Sequence, residues 1–263
     1  MRDLSLNTAL GLPVNGGGVF LQADWPAPPR VRTLISTRQG GISQGVFASL
    51  NVGAHVGDDA AAVAHNRALV EQQAGRALAY LNQTHSTTVV AADAALAALE
   101  KGEPLNADAS VGSDGSAACA VMTADCLPVL FCNRAGSTVA AAHAGWRGLA
   151  GGVLQNTVAA MPVAPLEIMA YLGPAIGADA FEVGQDVWDA FCLPMPRAEA
   201  AFTDIGAGKY LADIYALARL ALQDVGVNQI YGGQHCTVLE RDAFFSYRRD
   251  GQTGRMVSAV WLD

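Results

Sequence analysis

Residues 138–151 read TVAAAHAGWRGLAG. The first half has the pattern of a buried strand, with His143 near its end, and the second half predicts a helix from about 148 to 160, its first turn at Arg147-Gly148. A strand running straight into a helix is the unit from which a mixed α/β chain is built. Ala and Gly dominate the stretch, which lets a helix or another backbone segment approach closely. Yet His143, Trp146 and Arg147 stand among these small residues. Polar groups in such surroundings are placed to point into a cavity.

Working outward, WPAPPR at 25–30 is a rigid lead-in to VRTLIST at 31–37, which alternates like a strand. RQGGISQGVFASLNVG at 38–53 reads as a Gly-rich loop. A helix is predicted near 59–75, capped by Asp58 or Asp59, ended by Gly75, and carrying His65 and Arg67. LAYLNQTHSTTVVAAD at 78–93 reads as strand, loop, strand. ACAVMTADCLPVLFCN at 118–133 reads as a buried strand, a break near Pro128, then more strand. PLEIMAYLGP at 165–174 is a further strand, the region near 182–192 suits a helix, and YLADIYALARLALQDVG at 210–226 is an amphipathic helix. Strands and helices alternate unevenly. The expected fold is therefore α+β (mixed α/β): one domain over 1–263, strands layered between helices, with about 1–23 a lead-in.

Half of the 263 residues are hydrophobic and 15% are charged, which excludes a disordered chain. A net charge of −8 argues against nucleic-acid binding, since phosphate neutralisation needs clustered Lys and Arg. No segment resembles a signal peptide or a membrane span, so a cytoplasmic protein with no membrane partner is expected. Its five cysteines form no CxxC pair and read as reduced thiols. Several motifs fail. Gly208-Lys209 lacks the rest of a P-loop, and Gly16-Gly17-Gly18 lacks the dinucleotide spacing. Neither HExxH nor the HxE…PCxxC pattern of the nucleobase deaminases occurs.

His85 in NQTHSTT, Cys126 in MTADCLP and His143 in AAAHAGW remain, each near the end of a predicted strand. Two imidazoles and a thiolate make a three-ligand zinc site with an open fourth position. The structural alternative is equally simple: a core histidine that is hydrogen-bonded, and a thiol acting as a small buried hydrophobe. Cys119, Cys132, Cys192 and Cys236 take that second reading. If 121–126 is extended, Asp125 and Cys126 point to opposite faces.

STRQGGIS, SLNVGAHVGDD, LNQTHSTTVV, ADASV, VMTADCLPVLF, AAAHAGWRGLAGGVL, AYLGPAIGADAFEVG and FFSYRRDGQTGR together are similar to the YfiH-type laccase-domain family. Its members were first described as polyphenol oxidases and are now regarded mainly as purine nucleoside phosphorylases. The resemblance spans about 24–262 and puts the family's metal site on His85, Cys126 and His143. It implies zinc, with copper as the other ion to consider. It also implies phosphorolysis of adenosine, inosine and S-methyl-5′-thioadenosine, with deamination of adenosine. Where the family pattern has an aliphatic residue before the first His and Gly after it, this chain has Thr84 and Ser86.

Nucleosides and phosphate are thus the expected partners. Arg147 is a candidate anion clamp at the helix start, Arg38 in the Gly-rich loop a second, and Asn51 a substrate contact. Trp146 and Phe245 are candidates to sandwich a purine; Asp125 and Gln83 could orient ligands or substrate. Arg248 and Arg249 fit either a ligand-side pair or a structural clamp. Rival functions are a cysteine hydrolase with Cys126 as nucleophile acting on a cell-wall precursor amide, a multicopper polyphenol oxidase, and a non-enzymatic binding module. Five scattered histidines are too few for several coppers.

Overall fold

The structure, a computed structural model, describes residues 19–113 and 115–263. Most of the predicted lead-in and Gly16-Gly17-Gly18 lie outside the described residues. Strands β1 (Phe20–Leu21), β2 (Val31–Ser36), β3 (Leu78–Ala79), β4 (Val89–Ala91), β5 (Ala109–Gly112), β6 (Ala118–Thr123) and β7 (Leu127–Asn133) come from the first half. The second half supplies β8 (Val139–Ala144), β9 (Ile168–Leu172), β10 (Glu182–Gly184), β11 (Phe202–Gly206), β12 (Lys209–Ala212), β13 (Gln229–Gly232) and β14 (Met256–Leu262). The helices are α1 (Ala60–Ala74), α2 (Ala92–Glu100), α3 (Trp146–Gly151), α4 (Val153–Ala160), α5 (Gln185–Cys192), α6 (Ile214–Asp224) and α7 (Tyr247–Asp250).

Two mixed sheets make the centre: β1-β2-β14-β6-β3 and β13-β9-β7-β8-β5-β4. Their facing sides share Ile35, Val121, Leu130, Cys132, Ala141, Met169 and Val260. On the far side of the larger sheet, Val129, Phe131, Ala140 and Ala142 pack against Leu149, Leu154, Leu217 and Leu222 from α3, α4 and α6. Across the smaller sheet, Leu34, Ala120, Met122 and Ala259 meet Val70 of α1. Strand periodicity produces this layering directly: in β7, Leu127, Val129 and Phe131 face helices while Leu130 and Cys132 face the other sheet. Burying one such Leu or Phe contributes about 1.5–3 kcal/mol. The expected layers of strands between helices are present. A small antiparallel sheet, β10-β12-β11, adds a third unit that the sequence reading did not contain.

Local signals fared unevenly. Asp59 accepts from the Ala62 N–H at 2.8 Å and Gly75 (φ 72°) ends α1, as predicted. The single helix expected at 148–160 is two, because Gly152 adopts φ 100° and separates α3 from α4. The region 182–192 begins as strand β10 before α5, and 210–212 belongs to β12. The break expected near Pro128 falls earlier: Asp125 has φ 93°, so 121–126 is not extended throughout. Pro128 lies inside β7 opposite His143, whose N–H goes to the Asp108 carbonyl, and the Pro128 carbonyl accepts the Gly173 N–H at 2.9 Å. Among the described residues no helix is long and apolar enough to cross a membrane.

Candidate metal centre

Three separate elements deliver the site. His85 comes from the loop between β3 and β4, Cys126 from the tight turn between β6 and β7, and His143 from β8. One ligand atom from each lies within 4.8 Å of the others, so the three converge as expected. Val139 and Ala141 face the space between the sheets, and alternation along β8 sends His143 the same way. The His85 Nε2 is 3.8 Å from the Cys126 Sγ.

Asp108, just before β5, holds this arrangement together. It is 0% exposed and receives the His143 Nδ1 at 2.8 Å. Its oxygens also accept the backbone N–H groups of Thr84 (3.1 Å), His85 (3.0 Å) and Ser86 (2.6 Å), and the Ser86 hydroxyl at 2.8 Å. One carboxylate therefore orients one imidazole by its ring and the other by its backbone, at φ 60°. An ionised carboxylate only accepts, so Nδ1 of His143 carries a proton; against burial, Cys126 and Asp108 push the ring up to about 9, and Nε2 becomes a ligand atom once a metal displaces its proton. Gln83 fastens the same loop to β6: its amide donates to the Met122 carbonyl (2.8 Å) and accepts the Met122 N–H (2.7 Å).

Burial alone would raise the Asp108 carboxyl, but hydrogen bonds from His143 and Ser86 outweigh it and bring it to about 2. Burial also pushes the Cys126 thiol up, yet the facing His143 charge and hydrogen bonds from both imidazoles bring it down to about 6. Cys119 and Cys132, without such partners, are pushed up to about 12 by burial. Cys126 is thus a far readier thiolate than Cys119 or Cys132.

Gly145 completes the cradle. A Cβ there would stand 2.7 Å from His85 Cδ2 and 3.0 Å from Cys126 Sγ, so any side chain would collide with the ligands. Two imidazoles, a ready thiolate and an emptied backbone wall fit a metal ion.

The other predicted residues scatter. Arg147 is exposed, with its guanidinium 4.3 Å from the Trp146 ring centre. Arg38 lies over Phe245 and donates to the Ala48 and Arg241 carbonyls. Asn51 is buried with its amide engaged by Gly53, Asp58 and the Arg255 N–H, so it frames a loop and presents nothing to a substrate. Phe245 is 0% exposed, which removes it from a purine sandwich. Asp125 accepts from the Thr237 hydroxyl and the Arg248 N–H, each at 2.6 Å. Arg249 is a structural clamp on the Thr237, Val238 and Phe244 carbonyls, and the Arg248 guanidinium donates to the Glu182 carbonyl. Ser86 and Thr84 tighten the loop onto Asp108. Asp108 and Gly145 were missed by sequence reasoning; the only signal was a lone acid in the apolar run ADASV.

Residues 32–263 match the family model described as multi-copper polyphenol oxidoreductase laccase. The chain belongs to this laccase-domain family. Among laccase-domain relatives, a purine nucleoside phosphorylase of Pseudomonas aeruginosa is 49% identical over 244 residues, covering 92% of this chain and 98% of the relative. The YfiH purine nucleoside phosphorylase of Escherichia coli is 51% identical, covering 90% and 96%. The crystal structure of the Neisseria meningitidis protein NMB0706 superposes with a TM-score of 0.90 at 69% identity, covering 93% of this chain and 99% of that one.

Proposed function

We propose that this chain is a zinc-dependent purine nucleoside phosphorylase of the cytoplasm. Its substrates are adenosine, inosine and S-methyl-5′-thioadenosine, and it also deaminates adenosine. The observation that carries this is the His85–Cys126–His143 cluster over Gly145, in a chain whose relatives are named purine nucleoside phosphorylases.

Zinc suits a set of one thiolate and two imidazoles better than a multicopper centre does. Of the five histidines, only His85 and His143 belong to a group that could hold a metal among the described residues. A zinc ion bound there supplies one net positive charge and an open coordination position. Cys126 and the Nε2 atoms of both histidines would hold it. Asp108 keeps the His143 proton on Nδ1, and Gly145 keeps the wall clear. Trp146, half-buried beside Gly145, offers a flat surface for a purine. Arg147 stands at the rim as a cation for an anionic group, while Arg38 and Asn51 act through the loops they hold.

Metal analysis of purified protein, alongside adenosine turnover with and without phosphate, tests the reading. One zinc per chain and phosphate-dependent release of adenine are expected; turnover indifferent to phosphate refutes it. The Asp108–His143–Cys126 relay favours a second reading, a metal-free cysteine hydrolase. Under that reading the protein turns over with no metal, and alkylating Cys126 abolishes activity. Under the zinc reading, zinc shields Cys126 from alkylation, and the metal-free thiol reacts with a midpoint near pH 6.

A further inference from the structure

A cleft of about 330 Å³ lies between the loop after Asn51 and the loop before β14, lined by His55, Tyr247, Gln252, Thr253 and Arg255 among others. Met256 pairs with Thr123 at the end of β6, so Arg255 lies just past the strand end from which the chain runs on to Cys126. Arg255 lines the cleft and is close enough to Cys126 for their charges to interact.

Its charge is unusual for a chain of net charge −8. Arg255 and its neighbour Arg67 are both half-buried, and among the described residues neither has a carboxylate within ion-pair distance. Arg67 donates to the Val52 carbonyl and stacks over Tyr80. Arg255 uses Nη1 on the Thr253 and Gly254 carbonyls and lies 5.9 Å from the Tyr247 ring centre, leaving Nε and Nη2 without a hydrogen-bond partner. Burying a cation without a counter-ion is unfavourable, and an anionic ligand relieves it. Thr253, 1% exposed at the floor, has an Oγ1 with no hydrogen-bond partner. No carboxylate lines the cleft.

The surrounding backbone is shaped around Arg255. The Asn51 Oδ1 accepts both the Gly53 N–H (2.9 Å) and the Arg255 N–H (2.8 Å), tying the two loops together. A Cβ on Gly53 would stand 2.8 Å from the Arg255 Cγ, so glycine there lets the arginine stem lie flat. A Cβ on Gly254 would meet Phe245 at 2.6 Å and Asn51 at 2.9 Å. Burial pushes the Arg255 guanidinium down, while the Cys126 and Asp125 charges oppose this, which puts it in electrostatic reach of the metal centre.

We propose that this cleft is the inorganic phosphate subsite, with Arg255 as its charge and His55 and Gln252 as hydrogen-bonding partners from the two facing loops. The proposal rests on the phosphorolysis reading and names where its second substrate sits. Arg147, exposed and unframed, is the competing location.

Calorimetric titration of the metal-loaded protein with inorganic phosphate, in sulfate-free buffer, tests it together with the KM for phosphate. Arg255→Met is expected to weaken phosphate at least about tenfold, the loss of one charge-assisted contact, with the KM for nucleoside unchanged. Arg255→Lys should recover part, lacking the bidentate fork. A folded Arg255→Met protein with unchanged phosphate affinity overturns the proposal, as does a loss confined to Arg147→Ala. Should Arg255→Met not fold, the exposed pair His55→Gln and Gln252→Ala decides: a several-fold loss supports the subsite and no change overturns it. Phosphate binding lost in Arg255→Met by a protein that cleaves no nucleoside supports the subsite and sinks the phosphorolysis reading instead.

Discussion

His143 and His85 contribute the same chemistry from opposite surroundings. His143 is 4% exposed on a central strand of the larger sheet, with its ring fixed on Asp108. His85 is exposed in a loop, and its own N–H, not its ring, rests on that carboxylate. The floor of the site is therefore part of the sheet packing, while the rim is held by hydrogen bonds and an absent side chain. Floor mutations should cost stability and metal together; rim mutations should cost metal or substrate alone.

The strongest way to break this contrast is to remove the ligand both halves share. Cys126→Ala should lose metal and drop turnover about a thousandfold or more, equivalent to about 4 kcal/mol. Metal content by emission spectroscopy and steady-state rates measure it, and full metal retention would dissolve the distinction. Asp108→Asn strikes the floor next. It leaves several donors poorly matched, so a stability loss of about 2 kcal/mol is expected, with metal affinity lowered about 10- to 100-fold. Denaturant unfolding and competitive chelator titration give the two numbers; an affinity loss without a stability loss would show Asp108 acting on the rim alone.

Gly145→Ala presses hardest on the rim and also crowds the Cys126 Sγ at 3.0 Å. Its Cβ, 2.7 Å from His85 Cδ2, must swing the exposed ring aside. Metal affinity should fall about tenfold, the 1.4 kcal/mol equivalent of one displaced ligand geometry, while the melting temperature of the metal-free protein stays put. A large drop in that temperature would count His85 as packed structure. The smallest effect belongs to Arg147→Ala. An exposed charge contact is worth roughly 0.2–1 kcal/mol, so phosphorolysis should slow about two- to fivefold while deamination is unchanged. Equal losses in both reactions would make Arg147 a support for the Gly145 turn.

Much of the site was legible because its chemistry is carried by residue type. A histidine in an alanine run, and a cysteine beside an aspartate at a strand end, stand out whatever the fold. The arginines were less legible, because a guanidinium serves a carbonyl as readily as a phosphate. Arg38 and Arg249 commit every guanidinium nitrogen, while Arg255 hydrogen-bonds through Nη1 alone, and nothing local in the sequence separates them. Phe245 looked available and is buried, since its exposure depends on what Gly254 and Arg38 do above it.

The amino-acid sequence by itself determined the local elements and the donor atoms. Asp58 or Asp59 and Gly75 marked the ends of α1, alternation marked β2, an apolar run marked β8, and His85, Cys126 and His143 were available as ligands. These follow from backbone geometry and side-chain chemistry within a few residues. That Asp108 grips both histidines, one of them 35 residues away, and that Gly145 leaves room for their meeting come from tertiary packing. The split at Gly152, the third sheet and the framing of Arg255 were decided there too. Hydrogen bonds and close contacts between distant segments depend on sheet register and layer packing, which no short window of sequence contains.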